Sequence, residues 1–210
     1  MGQKTTDALE AIQTRRSVRR YVAKQIDGEI VERLLSAAMS APSAANEKPG
    51  EFIVIKDREM LDGIPAFSPF ARMVTQAPLG ILVCADTRNV IIPGFWVQDC
   101  SAATQNLLIA AHALGLEAVW TGVYPMDDRV AGFTMHCQLP EGVVPLAFVV
   151  VGYPAETPPP QKRFDQDRIH SNVWDPSVAQ FTAVLRSRIG FRLRKPNVKC
   201  KNAARRRIPQ

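Results

Sequence analysis

Four arginines and one serine crowd together near the start of the chain, in the run Arg15-Arg16-Ser17-Val18-Arg19-Arg20. Guanidinium groups offer forked N–H donors and the serine adds a hydroxyl, so this combination suits the binding of a phosphate group. A run of solvated surface charges is the competing interpretation. The segment is therefore a candidate phosphate site whose meaning depends on what the fold places beside it.

A second candidate is a loop of small residues between Ser40 and Gly50, with the sequence SAPSAANEKPG. Small side chains let a flat ligand approach the backbone, and the amide of Asn46 can both donate and accept hydrogen bonds. The same composition also suits an ordinary surface turn. The loop alone does not identify a ligand.

A second basic point lies far along the chain, in Gln161-Lys162-Arg163-Phe164-Asp165, after the stiff run 158–160 of three prolines. If this point and the first arginine cluster converge in space, they could hold one phosphate. The sequence does not show whether they do.

Hydrophobic periodicity predicts the elements that must position these groups. About five helices and four strands are expected: helices at 7–14, 27–39, 58–64, 98–116 and 127–133, and strands at 52–55, 79–85, 118–121 and 143–151. The segment 65–76 has no clear pattern and is expected to be irregular. No G-x-G-x-x-G run follows a strand and no G-x-x-x-x-G-K-[ST] run occurs, so Rossmann and P-loop folds lose their main support. An α+β fold remains.

The chain is organised around the stretch from Phe95 to Val123, whose helical part carries Asp99 as its only charged residue. Such a helix is expected to be buried nearly all round. The neutral polar residues Gln98, Gln105 and His112 recur every seven positions among small side chains, which suits close contact with another protein surface. A second subunit on this side and a plain central helix of a monomer are both compatible with the pattern.

The formal net charge of +6 over 210 residues is unevenly distributed. Residues 176–210 contain ten Lys or Arg and no Asp or Glu, which leaves 16 basic against 20 acidic residues in the first 175. We therefore expect a globular domain at 1–175 and a basic C-terminal tail at 176–210 that is partly helical or disordered. A basic tail is also compatible with nucleic-acid binding, although we expect no nucleic-acid partner.

The four cysteines are scattered, with no C-x-x-C pair and no histidine at metal-ligand spacing. This indicates reduced thiols and no metal site. The N-terminus lacks a signal-peptide core and no apolar run is long enough to cross a membrane, so the sequence predicts a cytoplasmic protein without a membrane partner.

Four separated segments together resemble the nitroreductase family of FMN-dependent oxidoreductases. They are the runs RRSVR at 15–19, APSAANEKP at 41–49, QDCSAA at 98–103, and the pair GL at 115–116 with WTGVYP at 120–125. The run Arg163-Phe164-Asp165, with Trp174 further on, is similar to the closing motif of that family. Each motif is weak by itself, but the set is specific.

The resemblance implies a central antiparallel sheet flanked by helices, with a long buried central helix, in a domain-entwined homodimer that holds one FMN at each of two interface sites. Arg15, Ser17 and Arg19 would hold the FMN phosphate, with Arg16 beside them. Arg163 would reach the same phosphate from the far end of the domain.

The resemblance also implies that Ser43, Ala44 and Asn46 line the flavin from the partner subunit. The backbone amides of Thr121 and Gly122 would face the reactive edge of the ring. Backbone donors there stabilise an electron-rich reduced ring without covering its face.

The implied activity is NADH- or NADPH-dependent reduction of nitroaromatics, quinones or similar planar acceptors by a ping-pong hydride transfer. The flavin N5 would perform the chemistry, so no catalytic side chain is expected. A flavoenzyme of different chemistry on the same scaffold, such as a reductive dehalogenase or a flavin reductase, and a basic-tailed nucleic-acid-binding protein are the alternatives.

Overall fold

The computed structural model describes residues 7–159 and 161–174. They fall into two units, one ending at Gln161 and the other beginning at Lys162. The predicted basic tail at 176–210 lies outside the described residues, so its helical or disordered character stays a prediction.

The described helices and strands confirm the predicted ones, with boundaries that differ by a few residues. They are α1 Ala8–Thr14, α2 Gly28–Met39, β1 Gly50–Ile55, α3 Arg58–Gly63, β2 Leu79–Asp86, α4 Trp96–Ala113, β3 Glu117–Gly122, α5 Asp127–His136 and β4 Val143–Gly152.

The expectation of an irregular segment at 65–76 is wrong. Short 3₁₀ helices form at Ile64–Ala66 and Pro69–Gln76, each with a proline in its first turn. Ala71 and Val74 are buried from the second of these helices, but so short an element shows little periodicity in the sequence.

The four strands form one antiparallel sheet in the order β1-β2-β4-β3. The central strands β2 and β4 are the two continuous apolar runs of the sequence and are buried along nearly their whole length. The register between them shifts after Val83, where Cys84 lies opposite Pro145. A proline cannot donate to the ladder, so it is tolerated at this irregularity.

Successive side chains along each strand point to opposite faces of the sheet and contribute to two hydrophobic cores, one on each face. Helices α2 and α4 cover one face, where Leu34 and Leu107 pack with Ile81. On the other face, α3, the Pro69–Gln76 helix and α5 contribute Leu61, Val74 and Phe133, which pack with Phe148. The antiparallel sheet therefore lies between two helical layers, which confirms the predicted antiparallel sheet flanked by helices.

Helix α4 is buried on one side and half-buried on the other. The buried positions include Cys100, Leu107 and Ala111, whereas Ala102, Gln105, Ile109 and Ala113 are half-buried and Gln98 is exposed. Helix α1 has an uncovered apolar side, because Leu9 is 68% and Ile12 is 52% exposed. The expectation that α4 is buried nearly all round is therefore wrong for a single chain, in which only one face is buried.

Candidate functional site

The arginine-rich segment follows α1 and runs beside the outer edge of the sheet. The Asp7 carboxylate accepts hydrogen bonds from the Leu9 and Glu10 amides and starts α1. Ser17 then forms a parallel bridge with Ala118 of β3, which is an edge strand. Because Val18 is fully buried, its neighbours Ser17 and Arg19 are left exposed.

Tyr21 fastens this segment to the sheet. Its buried hydroxyl lies 2.6 Å from the Val18 carbonyl oxygen and 3.3 Å from that of Val150 in β4, and it donates mainly to the nearer one. Burial raises the pKa of this phenol above its ordinary value, and the positive charge of Arg19 opposes the rise. The phenol therefore remains a neutral donor.

The arginines of the segment occupy different environments. Arg15 is half-buried and Arg19 is exposed, whereas the buried Arg16 donates through Nη1 to the carbonyls of Gln13 (2.9 Å) and Arg15 (2.8 Å). Those carbonyls lie at the end of α1, where a positive charge is favourable. The structure thus gives Arg16 a structural contact, and its predicted role toward the cofactor stays a prediction.

A hydrogen-bonded network at His112 holds the end of α1 in place. Thr14 Oγ1 lies 2.8 Å from His112 Nε2, and His112 Nδ1 lies 2.6 Å from Glu117 Oε1. The contacts join α1, α4 and the first residue of β3 directly before the arginines begin. His112, for which the sequence indicated no metal or catalytic role, has this positioning role instead.

The far end of β3 presents the second half of the candidate site. Thr121 is buried and its hydroxyl donates to the Phe148 carbonyl at 2.8 Å. Since the Val123 amide donates to Leu146 of β4, the alternation of an antiparallel pair directs the Gly122 amide toward the open edge. Gly122 is exposed, and nothing lies within 4 Å of the place where a Cβ would be.

The outer edge of β3 therefore carries a basic segment near one end and an outward-facing amide near the other. Ala118, beside Ser17, and Gly122 are four residues apart, which corresponds to about 13 Å along a strand. Of the predicted residues, the structure places Ser17 and Gly122 at this edge, with Arg15 and Arg19 two residues to either side of Ser17. The prediction that the Thr121 amide also faces this edge is wrong, because the alternation that turns the Gly122 amide outward turns the Thr121 amide toward Phe148 of β4.

Sequence reasoning missed Arg129 of α5, which contacts the same strand end. Its Nη1 donates to the Gly122 carbonyl at 2.9 Å, and its guanidinium carbon lies 5.0 Å from the centre of the Phe70 ring. Phe70 is distant from the other two residues in sequence, and the three form no local motif. The only available signal was that Arg129 lies four residues after the WTGVYP run.

The small-residue loop lies elsewhere in the chain. The Ala44 amide donates to Asp99 Oδ1 at 3.0 Å, and the Ser43 hydroxyl accepts from the Lys48 amide at 3.0 Å. Ala45 and Asn46 have positive φ values of 47° and 58°, so the loop turns sharply here. Ser43 and Asp99 also line a cleft of about 290 Å³.

Helix α4 separates this loop from the basic segment. Ala44 is attached to Asp99, whereas Thr14, which precedes Arg15, is attached to His112, 13 residues later in the helix. That interval spans about 20 Å of α-helix. One chain therefore does not place Ser43, Ala44 and Asn46 beside the arginines.

Arg163 is an exposed residue of the second unit. Its predicted approach to the phosphate, like the convergence of the two basic points, stays a prediction.

The buried thiols of Cys84 and Cys100 and the half-buried thiol of Cys137 are not suited to nucleophilic chemistry. Burial raises the pKa of Cys84 and of Cys100 to about 12 and that of Cys137 to about 11, so all three are protonated near neutral pH. Across residues 7–159 and 161–174, no group of three His, Cys, Asp or Glu side chains is placed to hold a metal ion. Within the same ranges, no helix combines the length and apolar character needed to span a membrane.

Comparison with known proteins gives a consistent result. A protein of Methanothermobacter thermautotrophicus, provisionally named NADH dehydrogenase/NAD(P)H nitroreductase, is 52% identical over 80% of this chain and 88% of its own length. A protein of Archaeoglobus fulgidus with the same provisional name is 44% identical over 80% of this chain and 99% of its own.

Solved structures agree with the sequence matches. A Parabacteroides distasonis protein, again provisionally named NADH dehydrogenase/NAD(P)H nitroreductase, has a TM-score of 0.77 and 41% identity over 80% of this chain and 99% of its own. A Desulfovibrio desulfuricans protein, provisionally named a nitroreductase, was solved in complex with FMN. It has a TM-score of 0.72 and 31% identity over 81% of this chain and 99% of its own. The profile of the nitroreductase family matches residues 12–75 and 68–153. The chain belongs to the nitroreductase family.

Proposed function

We propose that this chain is an FMN-dependent oxidoreductase that uses NADH or NADPH to reduce nitroaromatics, quinones or similar planar acceptors. The observation that carries the proposal is the outer edge of β3, which has exposed cationic and hydroxyl groups near one end and an unobstructed amide near the other. FMN has the matching form, an anionic phosphate joined through a chain to a flat ring.

The residues present fit this cofactor. Arg15, Ser17 and Arg19 supply charge-assisted and hydroxyl hydrogen bonds to a phosphate dianion. Gly122 has no side chain to obstruct a ring that approaches its amide, and Thr121 Oγ1 is directed to Phe148 and so does not compete for that space. Arg163 would add a second cationic contact to the phosphate.

FMN supplies the two-electron chemistry, a hydride accepted from NADH or NADPH and passed to the acceptor in a ping-pong cycle. The chain binds and orients the cofactor, and the Gly122 amide stabilises negative charge at the edge of the ring. No acid or base side chain is required. An FMN reductase of Bacillus subtilis at 24% identity and an oxygen-insensitive NADPH nitroreductase of Salmonella typhimurium at 26% identity support this assignment by their names.

The site is completed, in our proposal, by a second copy of the chain. The half-buried side of α4 and the uncovered Leu9 and Ile12 of α1 provide apolar surface for a partner. A two-fold axis across α4 would place the Asp99 end of one helix beside the His112 end of the other. Ser43, Ala44 and Asn46 of the partner would then lie next to the arginines, which one chain alone does not achieve.

Mixed dimers test this arrangement. Arg19→Ala weakens the phosphate half of a site and Asn46→Ala weakens the partner half, so each variant alone has two defective sites. Refolding the two variants together places both defects in one site of a mixed dimer and leaves the other intact, which restores about a quarter of all sites after random pairing. Recovery of FMN binding to about that level supports a shared site, and no recovery contradicts it.

The activity is tested by anaerobic stopped-flow measurements on FMN-reconstituted protein. NADH or NADPH should bleach the flavin absorbance in the absence of an acceptor, and a quinone or nitroaromatic added afterwards should restore it. Protein that binds FMN but is not reduced by either nicotinamide would overturn the proposed activity.

A further inference from the structure

Arg129 joins three segments of the chain at the end of β3. It is the third residue of α5, it donates to the Gly122 carbonyl at 2.9 Å, and its guanidinium lies over Phe70 of the Pro69–Gln76 helix at 5.0 Å. The hydrogen bond fixes the peptide that follows Gly122, and the ring restricts the guanidinium from one face. The side chain is therefore held in one position.

The acidic residues Asp127 and Asp128 precede Arg129 in the first turn of α5, but neither forms an ion pair with it. Within the described residues, its guanidinium takes part in no ion pair, and its buried Nε has no hydrogen-bond partner. The adjacent Asp128 carboxylate accepts instead from the Arg129 backbone amide at 2.8 Å. A cation that is partly buried and unpaired acts on nearby charge more strongly than one in bulk water.

We propose that Arg129 is a positioning residue of the FMN site that also favours the reduced cofactor. It holds the strand end whose Gly122 amide would face the ring, and it keeps a positive charge that is in no ion pair beside that end. Because the reduced ring is the more electron-rich form, this charge stabilises it relative to the oxidised ring. The inference rests on the proposed function.

The test compares variants by the potential of the bound flavin. Arg129→Gln removes the charge and retains a side-chain amide donor. Arg129→Lys retains the charge but lacks the planar guanidinium group with its several N–H donors. Phe70→Leu removes the ring under the guanidinium at a position that is 68% exposed, where folding should be unaffected. Arg88→Gln is the matched control, because Arg88 is an exposed arginine paired with Asp86.

FMN affinity and two-electron potential are measured for each reconstituted protein by titration and spectroelectrochemistry. In Arg129→Gln the preference for reduced over oxidised FMN should fall about tenfold, which lowers the potential by about 30 mV for a two-electron couple. Arg129→Lys should retain most of the preference, Phe70→Leu should show a smaller decrease, and Arg88→Gln should match the unaltered protein.

Two failures are distinguishable. If the unaltered protein binds no FMN, the proposed function is wrong and this inference falls with it. If Arg129→Gln binds FMN with an unchanged potential, the function stands and the inference is overturned. Should Arg129→Gln not fold, an unchanged potential in Phe70→Leu overturns the inference equally.

Discussion

Replacing Tyr21 by Phe removes the hydroxyl that fastens the arginine-rich segment to the sheet. The Tyr21 hydroxyl donates to the Val18 carbonyl at 2.6 Å, and both residues are buried. Phe retains the ring and its packing but leaves that carbonyl without this donor. The substitution therefore isolates one hydrogen bond between the segment and the rest of the fold.

The expected cost follows from this burial. Leaving a buried carbonyl unsatisfied costs about 1–3 kcal/mol. For a domain of this size, each kcal/mol lowers the melting temperature by about 2–4 °C, so Tyr21→Phe should melt about 2–12 °C lower. FMN binding should weaken as well, because Val18 lies between Ser17 and Arg19.

The pH dependence of stability gives a second measurement of the same hydroxyl. Burial raises the pKa of Tyr21 in the folded protein above the ordinary value near 10, so its contribution to stability is complete below pH 10. Above that pH the unfolded phenol ionises first, and stability falls by up to about 1.4 kcal/mol per pH unit from this group. Tyr21→Phe lacks this contribution, so its stability should decline less steeply as the pH rises above 10.

Urea unfolding of the cofactor-free protein, followed by circular dichroism, measures both effects. Tyr153→Phe is the matched control, because it deletes a hydroxyl from a half-buried ring that packs under Lys24. If Tyr21→Phe is as stable as the Tyr153 control at pH 7, the proposed attachment of the segment is refuted.

Three further substitutions test the packing around the site. Gly80→Ala would place a Cβ against the Phe148 ring in the central sheet, and this overpacking should lower the free energy of unfolding by about 1–3 kcal/mol. A thermal melt measures the effect, and an unchanged melting temperature would contradict the packing described. Cys100 has a pKa raised to about 12, so its thiol stabilises the fold fully below about pH 8.5 and less as the pH rises toward 12. The midpoint of urea unfolding should therefore fall less steeply with rising pH in Cys100→Ala than in the unaltered protein. The same slope in both proteins would argue against a buried neutral thiol. Asp99→Ala removes the acceptor for the Ala44 amide, which should exchange its hydrogen at least severalfold faster, whereas unchanged protection would show that the carboxylate does not hold the loop.

The sequence predicted the architecture because its signals are local. The runs at 79–85 and 143–151 are apolar without interruption, so they had to be central strands buried on both faces. The long helix was recognisable from its length, its lack of charge and the glycine after it, and Gly115 indeed has a φ of 76°.

The contacts that position the site were not predictable in this way. Arg16 is one of four arginines within six residues, and composition alone does not show that it is the one directed into the chain. The contact between Thr14 and His112 joins residues 98 positions apart, and Arg129 meets Phe70 only after α5 packs on the sheet. Such contacts depend on tertiary packing, which leaves no period or motif in the sequence.

The central claim is that Arg15, Ser17 and Arg19 of the arginine-rich segment recognise the phosphate of a flavin held along β3. Equilibrium titration of the purified chain with FMN and with riboflavin, which lacks the phosphate, tests it most directly. The unaltered protein should bind FMN far more tightly than riboflavin, and the double substitution Arg15→Ala/Arg19→Ala should remove most of that difference, since each charge-assisted contact is worth about 1.5–3 kcal/mol. Equal affinity for the two flavins, or an FMN preference that survives the double substitution, would contradict the account.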